Sequence, residues 1–396
     1  MLISDDHILI DEASDIDIKL INKFILKKIG TDKFDESFYI VDLDIITKLY
    51  IKWITKLPNI KPYYAIKCNP NNNIIELLGK LGCNFDCASR IEIQNVLNII
   101  NDENRIIYAN PCKPVSHIKY ANDNNVKLFT FDCVEELDKI REYCNDSKVI
   151  LRLAVDDSKS LCKFNSKFGC KLENIETIYK CIKDLDMNLV GLSFHVGSGC
   201  NSADSYYTAL KDCRYAFEVA KSKYNINLNI IDIGGGFSGR DKNDRVSFDE
   251  IVEKIKEGQN DFFSDININY MAEPGRYFTE TSHTLIINVT SKKKEKDVIK
   301  YYVNDGAYGS FNCIHYDHQL PILKPLRQIN KEDTLYNSTF FGPTCDSMDI
   351  IYKDIMMPEL YIGDWLYVEN FGSYTNAPGA SFNGFKTIDI IYISTL

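Results

Sequence analysis

Lys67 ends the hydrophobic run PYYAIKCNP, and five further segments carry residue types that could serve its amine: FDCAS (85–89), SFHVGSG (193–199), DIGGGF (232–237), AEPGR (272–276) and GPTCD (342–346). A lysine amine can form a Schiff base with an aldehyde. Glu273 could hold a proton on a heteroaromatic ring nitrogen, where electrons must be withdrawn from a reacting carbon. Gly234, Gly235 and Gly236 offer bare backbone N–H groups to a phosphate, and Arg276 offers a bidentate cation. Together these are the requirements of an enzyme using pyridoxal phosphate. Each feature alone is ordinary: a strand-end lysine is usually a solvated cap, Glu-Pro-Gly a surface turn, and a glycine triplet a loop. Their occurrence in one chain is what carries the reading.

These residues need a frame that brings distant segments together. Apolar runs of strand type begin near residues 61, 84, 105, 127, 148, 189, 228 and 268, at intervals of about 21–23 residues and later near 40. Between them lie segments such as 72–82, 90–100 and 134–144, with apolar residues at three- and four-residue spacing, which predicts helices. Eight strand–helix units with nearly continuous apolar strands predict a closed parallel (β/α)8 barrel. Such barrels build their sites at the C-terminal ends of strands, where Lys67, Asp86, Arg152, His195, Gly234–Gly236 and Glu273 all fall. After about residue 280 the strands TLIINV, IKYYVNDG, TFFGPTCD, WLYVENFG and TIDIIYIS follow one another without amphipathic helices, predicting a second, mostly antiparallel β domain. The basic run SKKKEKD (291–297) reads as a solvated hairpin loop. In HYDH (315–318) a strand would put His315 and Asp317 on one side and His318 on the other, so no metal site is expected.

The 396 residues carry a net charge of −10, which argues against nucleic acid and anionic membranes as partners. No apolar run approaches the roughly 20 residues that span a bilayer. The acidic N-terminal segment lacks the basic region of a signal peptide. The 13 cysteines are scattered without CxxC pairs, which predicts reduced thiols and a cytoplasmic location.

The six segments, in this order, resemble the eukaryotic-type ornithine decarboxylases, within the alanine-racemase-like group of pyridoxal-phosphate enzymes. The resemblance runs from about residue 36 to 386. It implies a barrel over 36–279 and a β domain formed by 1–35 with 280–396. It also implies that Ser198 and Tyr374 hold the cofactor phosphate with their hydroxyls and that His195 lies on the pyridine face. Asp86 and Arg152 would lie near the lysine and the ring hydroxyl, and Cys345 would return a proton to the α-carbon. The implied activity is decarboxylation of L-ornithine to putrescine, in polyamine biosynthesis, through a Schiff base on Lys67.

The far end of a basic substrate needs opposing carboxylates, because an unpaired buried charge is costly. The resemblance assigns Asp317 and Asp346 to this task, with Tyr316 and Phe382 alongside. An arginine-preferring viral relative carries glutamate at the position of Asp317, and diaminopimelate relatives carry glutamate after the cysteine. Aspartate at both positions favours ornithine, with lysine as a secondary substrate and lysine or arginine decarboxylation as the alternatives. Ser347 and Met348 depart from the Gly-Leu usual after Cys-Asp in animal members. The resemblance further implies a homodimer with shared active sites, Lys167 and Asp349 pairing across the interface and Gly372 packing there. Residues 115–138 replace the antizyme-binding segment of animal members with a stretch of few basic residues, which argues against antizyme binding. A rival reading is a catalytically inactive regulator like the antizyme inhibitors.

Overall fold

The computed structural model describes residues 7–9 (backbone), 18–29, 31, 35–240, 246–330, 332–385 and 388–395. Most of the acidic N-terminal segment therefore lies outside the described residues. The chain divides into two compact units, residues 47–278 and residues 1–46 with 279–396.

In the first unit eight parallel strands close into a barrel among the described residues: β1 (Ile60–Ala65), β2 (Asn84–Cys87), β3 (Ile106–Tyr108), β4 (Leu128–Phe131), β5 (Lys148–Arg152), β6 (Asn188–Ser193), β7 (Ile230–Asp232) and β8 (Asn269–Ala272). They occupy the eight apolar runs read from the sequence. The helices between them form for visible local reasons. Asn72–Leu81 buries Ile74, Ile75 and Leu78, starts where the Asn71 side chain accepts from Asn73 and Ile74 N–H, and ends at Gly82 with φ +102°. Phe248–Phe263 starts with a capping box between Ser247 and Glu250. A short two-stranded antiparallel sheet that the periodicity did not reveal pairs Ser160–Cys162 with Ser198–Cys200.

Strand register levels the site residues. Ala65 lies opposite Asp86. Arg152 lies opposite Ser193, which in turn faces Asp232, itself opposite Met271. The C-terminal ends of β5, β6 and β7 thus meet in register, as do those of β1 and β2.

The second unit is a mixed sheet with antiparallel pairs in the majority. Its order is His7–Leu9, Asp389–Ser394, Phe38–Asp42, His283–Glu295, Val298–Val303, Leu335–Phe341 and Ile350–Pro358; Trp365–Val368 pairs with His283–Glu295 and with Lys324–Pro325. The helix Ile18–Ile29 seals one face, its Ile21, Phe24 and Ile25 packing with Phe38, Ile40, Ile286 and Ile393. Three local expectations change. Phe38–Asp42 pairs with Asp389–Ser394 and His283–Glu295, so it belongs to this sheet although residue 36 was the expected start of the barrel. Its five residues are all buried, and a run of that kind looks the same in either unit. The basic run is ladder, not loop: Lys292, Lys293 and Lys294 pair in register with Tyr301, Lys300 and Ile299. Lys292 reaches Glu359 at 2.6 Å, and exposed lysines suit a strand whose stems cover apolar surface. Cys313–Tyr316 is a helical turn rather than a strand, so the face assignment for His315, Asp317 and His318 does not apply.

His283 opens the long strand and is buried, with Ser282 Oγ 2.8 Å from Nδ1 and the Tyr39 ring edge-on at 5.8 Å. Burial pushes its pKa down to about 3. The folded chain therefore refuses a proton that the unfolded chain accepts below about pH 6.5. Its contribution to stability is present above pH 6.5 and is lost at about 1.4 kcal/mol per pH unit as the pH falls toward 3. Urea unfolding of wild type and His283→Gln at pH 7 and pH 5 should differ in pH dependence by about 2 kcal/mol. Equal dependences would show that His283 is not the group responsible.

Candidate active site

Lys67 sits in the turn Ile66–Cys68 that follows β1. Ile66 and Cys68 are buried on either side, and Lys67 Nζ bonds Asp86 Oδ2 at 2.8 Å. The Asp86 side chain is wholly buried, and its Oδ1 meets no donor among the described residues. Lys67 is itself exposed, and its pairing with an interior carboxylate is what sets it apart from a plain solvated cap.

Glu273 follows β8, with its N–H on Gly234 O at 2.7 Å. Burial raises its pKa well above the carboxylate range, and the Asp232 and Asp86 charges raise it further. Asp232 at the end of β7 is pushed up as well, first by burial. Its Oδ1 accepts the Gly234 N–H at 2.9 Å, and its Oδ2 meets no donor among the described residues. The Arg152 guanidinium is pulled down by burial and supported by Glu273, Asp132, Asp232 and Asp86. His195 Nδ1 accepts the Gly197 N–H at 3.0 Å, which leaves the ring proton on Nε2. Burial, then Arg152 and Lys67, push its pKa well below normal, so the imidazole is neutral.

The glycine triplet is required by its surroundings. Gly234 and Gly236 have φ of +64° and +106°. A Cβ on Gly235 would lie 2.8 Å from Glu273 O and 2.9 Å from His195 Nε2. Tyr206 OH donates to Gly235 O at 2.9 Å. Arg276 Nη2 bonds Ser198 Oγ at 3.1 Å, both residues being buried. One aromatic cluster fixes both: Phe237, next to the triplet, packs on Trp53 at 4.9 Å, and Tyr277, next to Arg276, packs on Trp53 at 5.3 Å and Phe248 at 4.6 Å.

The structure thus gathers Lys67, Asp86, Arg152, His195 and Glu273 into one electrostatic cluster, with Ser198 and Arg276 paired beside the glycines. It adds two groups the sequence reading passed over. Asp232, a carboxylate inside the apolar run NIIDIG, was visible as an anomaly. Glu92 accepts from Ala88 N–H, and its pKa is raised to about 7, first by burial. The S-x-x-E spacing after Ser89 was its only signal.

The remaining predicted residues belong to the sheet unit. Asp346 accepts from Tyr308 OH and from Met348 N–H at 2.9 Å, which lowers its pKa. Tyr308 stacks on Phe382 at 4.6 Å, and Cys345 is exposed, its N–H on Asn383 Oδ1 at 2.9 Å. Asp317 is buried and accepts from Gln319, whereas Tyr316 is exposed. Tyr374 takes positive φ, 54°, between buried Ser373 and Thr375. Asp349 is engaged within its own chain, accepting from Ala307 N–H at 2.7 Å, Thr344 N–H at 3.0 Å and Thr344 Oγ1 at 2.7 Å. Gly372 likewise leaves no room for a Cβ beside Thr279 O and His283. Intrachain contacts therefore account for both residues without an interface.

Residues 43–280 match the family model "Pyridoxal-dependent decarboxylase, pyridoxal binding domain". The chain belongs to the pyridoxal-dependent decarboxylases. A probable ornithine decarboxylase of Dictyostelium discoideum is 44% identical over 92% of this chain and 81% of its own. Antizyme inhibitor 2 of Xenopus laevis is 39% identical over 93% and 83%. The crystal structure of the Paramecium bursaria Chlorella virus arginine decarboxylase superposes with a TM-score of 0.90 at 33% identity, covering 95% of this chain and all of that one.

The barrel end fits the family's cofactor. It offers an amine, two interior carboxyls with raised pKa, an Asp86 oxygen that meets no donor among the described residues, and bare backbone beside a buried arginine. A methyl group on Gly235 would intrude on this decarboxylase's cradle. Gly235→Ala is expected to weaken pyridoxal phosphate binding about five- to a hundredfold, as overpacking costs roughly 1–3 kcal/mol. Absorbance titration of the stripped protein measures it, and unchanged affinity would mean that the phosphate is held elsewhere.

Proposed function

We propose that this protein decarboxylates L-ornithine to putrescine with pyridoxal phosphate bound at the C-terminal end of its barrel. The reading rests on one observation: the Lys67–Asp86 pair converges with the Glu273–Asp232 pair in a chain 44% identical to a protein named a probable ornithine decarboxylase. Lys67 would attach the cofactor. The Gly234–Gly236 backbone, Arg276, Ser198 and the Tyr374 hydroxyl would hold its phosphate, with His195 against the ring face and Asp86 and Arg152 at the lysine side. Bound there, the cofactor supplies an electron-accepting ring for the pair left when carbon dioxide departs.

The chain's own groups then divide the work. Glu273 keeps a proton at the ring nitrogen, which the raised pKa of its buried carboxyl suits. Neutral His195 covers the ring without placing a second cation beside Arg152. Cys345 returns a proton to the α-carbon. Asp346 and Asp317 receive the distal ammonium, with Tyr316 and Phe382 bounding it. Tyr308 holds Asp346 ionised at neutral pH. In this reading two chains form a homodimer, and each lends Cys345 and Asp346 to the other's site. Thirteen free thiols fit a reducing cytoplasm, and no helix among the described residues is long and apolar enough to cross a membrane.

The similarity to antizyme inhibitor 2 defines the rival reading, a regulator without catalysis. The complete set of Lys67, Asp86, His195, Glu273, Arg276 and Cys345 supports the enzyme. Residues 115–138 give little basic surface to antizyme.

Carbon dioxide release from ornithine, lysine and arginine by the cofactor-loaded protein tests the proposal. Ornithine is expected to lead lysine by roughly ten- to a hundredfold in kcat/KM, the worth of one methylene. A lead by lysine or arginine would sink ornithine as substrate. Silence from all three in cofactor-loaded protein would leave the regulator reading.

A further inference from the structure

The segment 157–168 approaches the site from outside the barrel strands, and both its ends are tied. The Asp157 carboxylate accepts from Phe164 and Asn165 N–H. Ser160–Cys162 pairs with Ser198–Cys200, Ser160 Oγ donates to Val196 O, and Asn201 N–H reaches Lys159 O at 3.1 Å. At the far end Gly169 N–H meets Asp132 Oδ2 at 2.8 Å, and Cys170 N–H meets Arg152 O at 2.8 Å.

Between these ties the chain makes a single helical turn, with Phe168 N–H on Phe164 O at 3.0 Å. That turn puts two aromatic rings on one face. Phe164 meets the His195 imidazole edge-on, with centroids 5.0 Å apart at 80°. Phe168 lies under the Arg152 guanidinium at 5.2 Å.

We propose that Phe164 and Phe168 are positioning residues, a two-pronged aromatic brace that fixes the His195 ring plane and the Arg152 fork for the cofactor. This rests on the cofactor reading given above. His195 has few other constraints: the Gly197 N–H sets one nitrogen, and Gly235 only leaves space for the other. Rotation about its ring axis is opposed by the Phe164 edge. Arg152 needs a support that leaves its donors unused, and an aromatic face supplies one. The charged groups facing the imidazole are Arg152 and Lys67, so a freed His195 would turn toward solvent before taking a proton. The same segment pairs with Ser198, the partner of Arg276, and so braces the phosphate side too.

The test uses the full-length protein with and without pyridoxal phosphate. Imidazole 15N shifts of His195, assigned by the signals missing in His195→Asn, should report one neutral Nε2–H tautomer that does not titrate between about pH 5 and 8. Phe164→Ala should give mixed tautomers and a titrating ring. Phe164→Leu, which keeps bulk and folds more safely, should show the same change in smaller degree. Leu161→Ala, on the same segment with its side chain exposed, should leave His195 as in wild type. Phe168→Ala, or Phe168→Leu where alanine fails to fold, should weaken pyridoxal phosphate binding about three- to thirtyfold. Unchanged His195 signals in Phe164→Leu would overturn the brace, as would equal disturbance by Leu161→Ala or unchanged affinity in the Phe168 variant. Wild type that takes up no cofactor would defeat the functional reading instead, and the cofactor-free His195 signals would still decide the brace.

Discussion

Lys67→Ala is expected to lower carbon dioxide release by on the order of 10⁴-fold or more, since the covalent route to the cofactor is lost. The near-visible band of the loaded protein, and its removal by borohydride with a mass increment on the Lys67 peptide, should vanish together. Lys67→Arg separates the two roles that the Asp86 contact allows. It keeps a cation beside Asp86, which Lys67 Nζ bonds at 2.8 Å, but has no primary amine, so it should be as inactive as alanine while folding better. Activity in Lys67→Arg within tenfold of wild type would leave Lys67 as a structural ion pair. Mixing Lys67→Ala chains with Cys345→Ala chains should restore roughly a quarter of wild-type activity, because random pairing makes half the dimers mixed and each holds one intact site. No recovery despite proven exchange of chains would contradict shared sites.

Glu273→Gln is expected to cost about 10²–10³-fold in kcat with little change in KM. Glutamine fills the same space after β8 and keeps the backbone contact to Gly234, so the fold and the cradle survive. What it loses is a carboxyl whose pKa burial has raised, the group proposed to hold the ring proton. A deficit confined to KM would point to a binding role only. Turnover within threefold of wild type would remove Glu273 from the proton's path.

The sequence made the barrel legible because parallel strands buried on both faces read as unbroken apolar runs, and the chemistry follows each run directly. Lys67 and Glu273 were visible for that reason. Their partners were harder to see. Asp232 and Glu92 matter through burial and mutual charge, which no spacing encodes. Phe164 and Phe168 read as loop aromatics until a hydrogen-bonded turn puts them on one face. In the sheet unit, alternation could not say which sheet Phe38–Asp42 would join, nor that HYDH would coil into a turn, since both depend on distant chain.

Asp349 has a consequence for how this chain can change by descent. Its carboxylate fills the space where a Cβ at Gly306 or at Gly342 would stand, while holding Ala307 and Thr344 by their N–H groups. A lone substitution at either glycine collides with Asp349, and a lone loss of Asp349 strands the buried Ala307 N–H and the half-buried Thr344 N–H. The three positions must therefore drift together or not at all. Cys345 and Asp346 ride on that locked stretch, so if they meet substrate as proposed, new preferences would arise more readily from side-chain length at 346, 347 or 317 than from any reshaping of the loop itself.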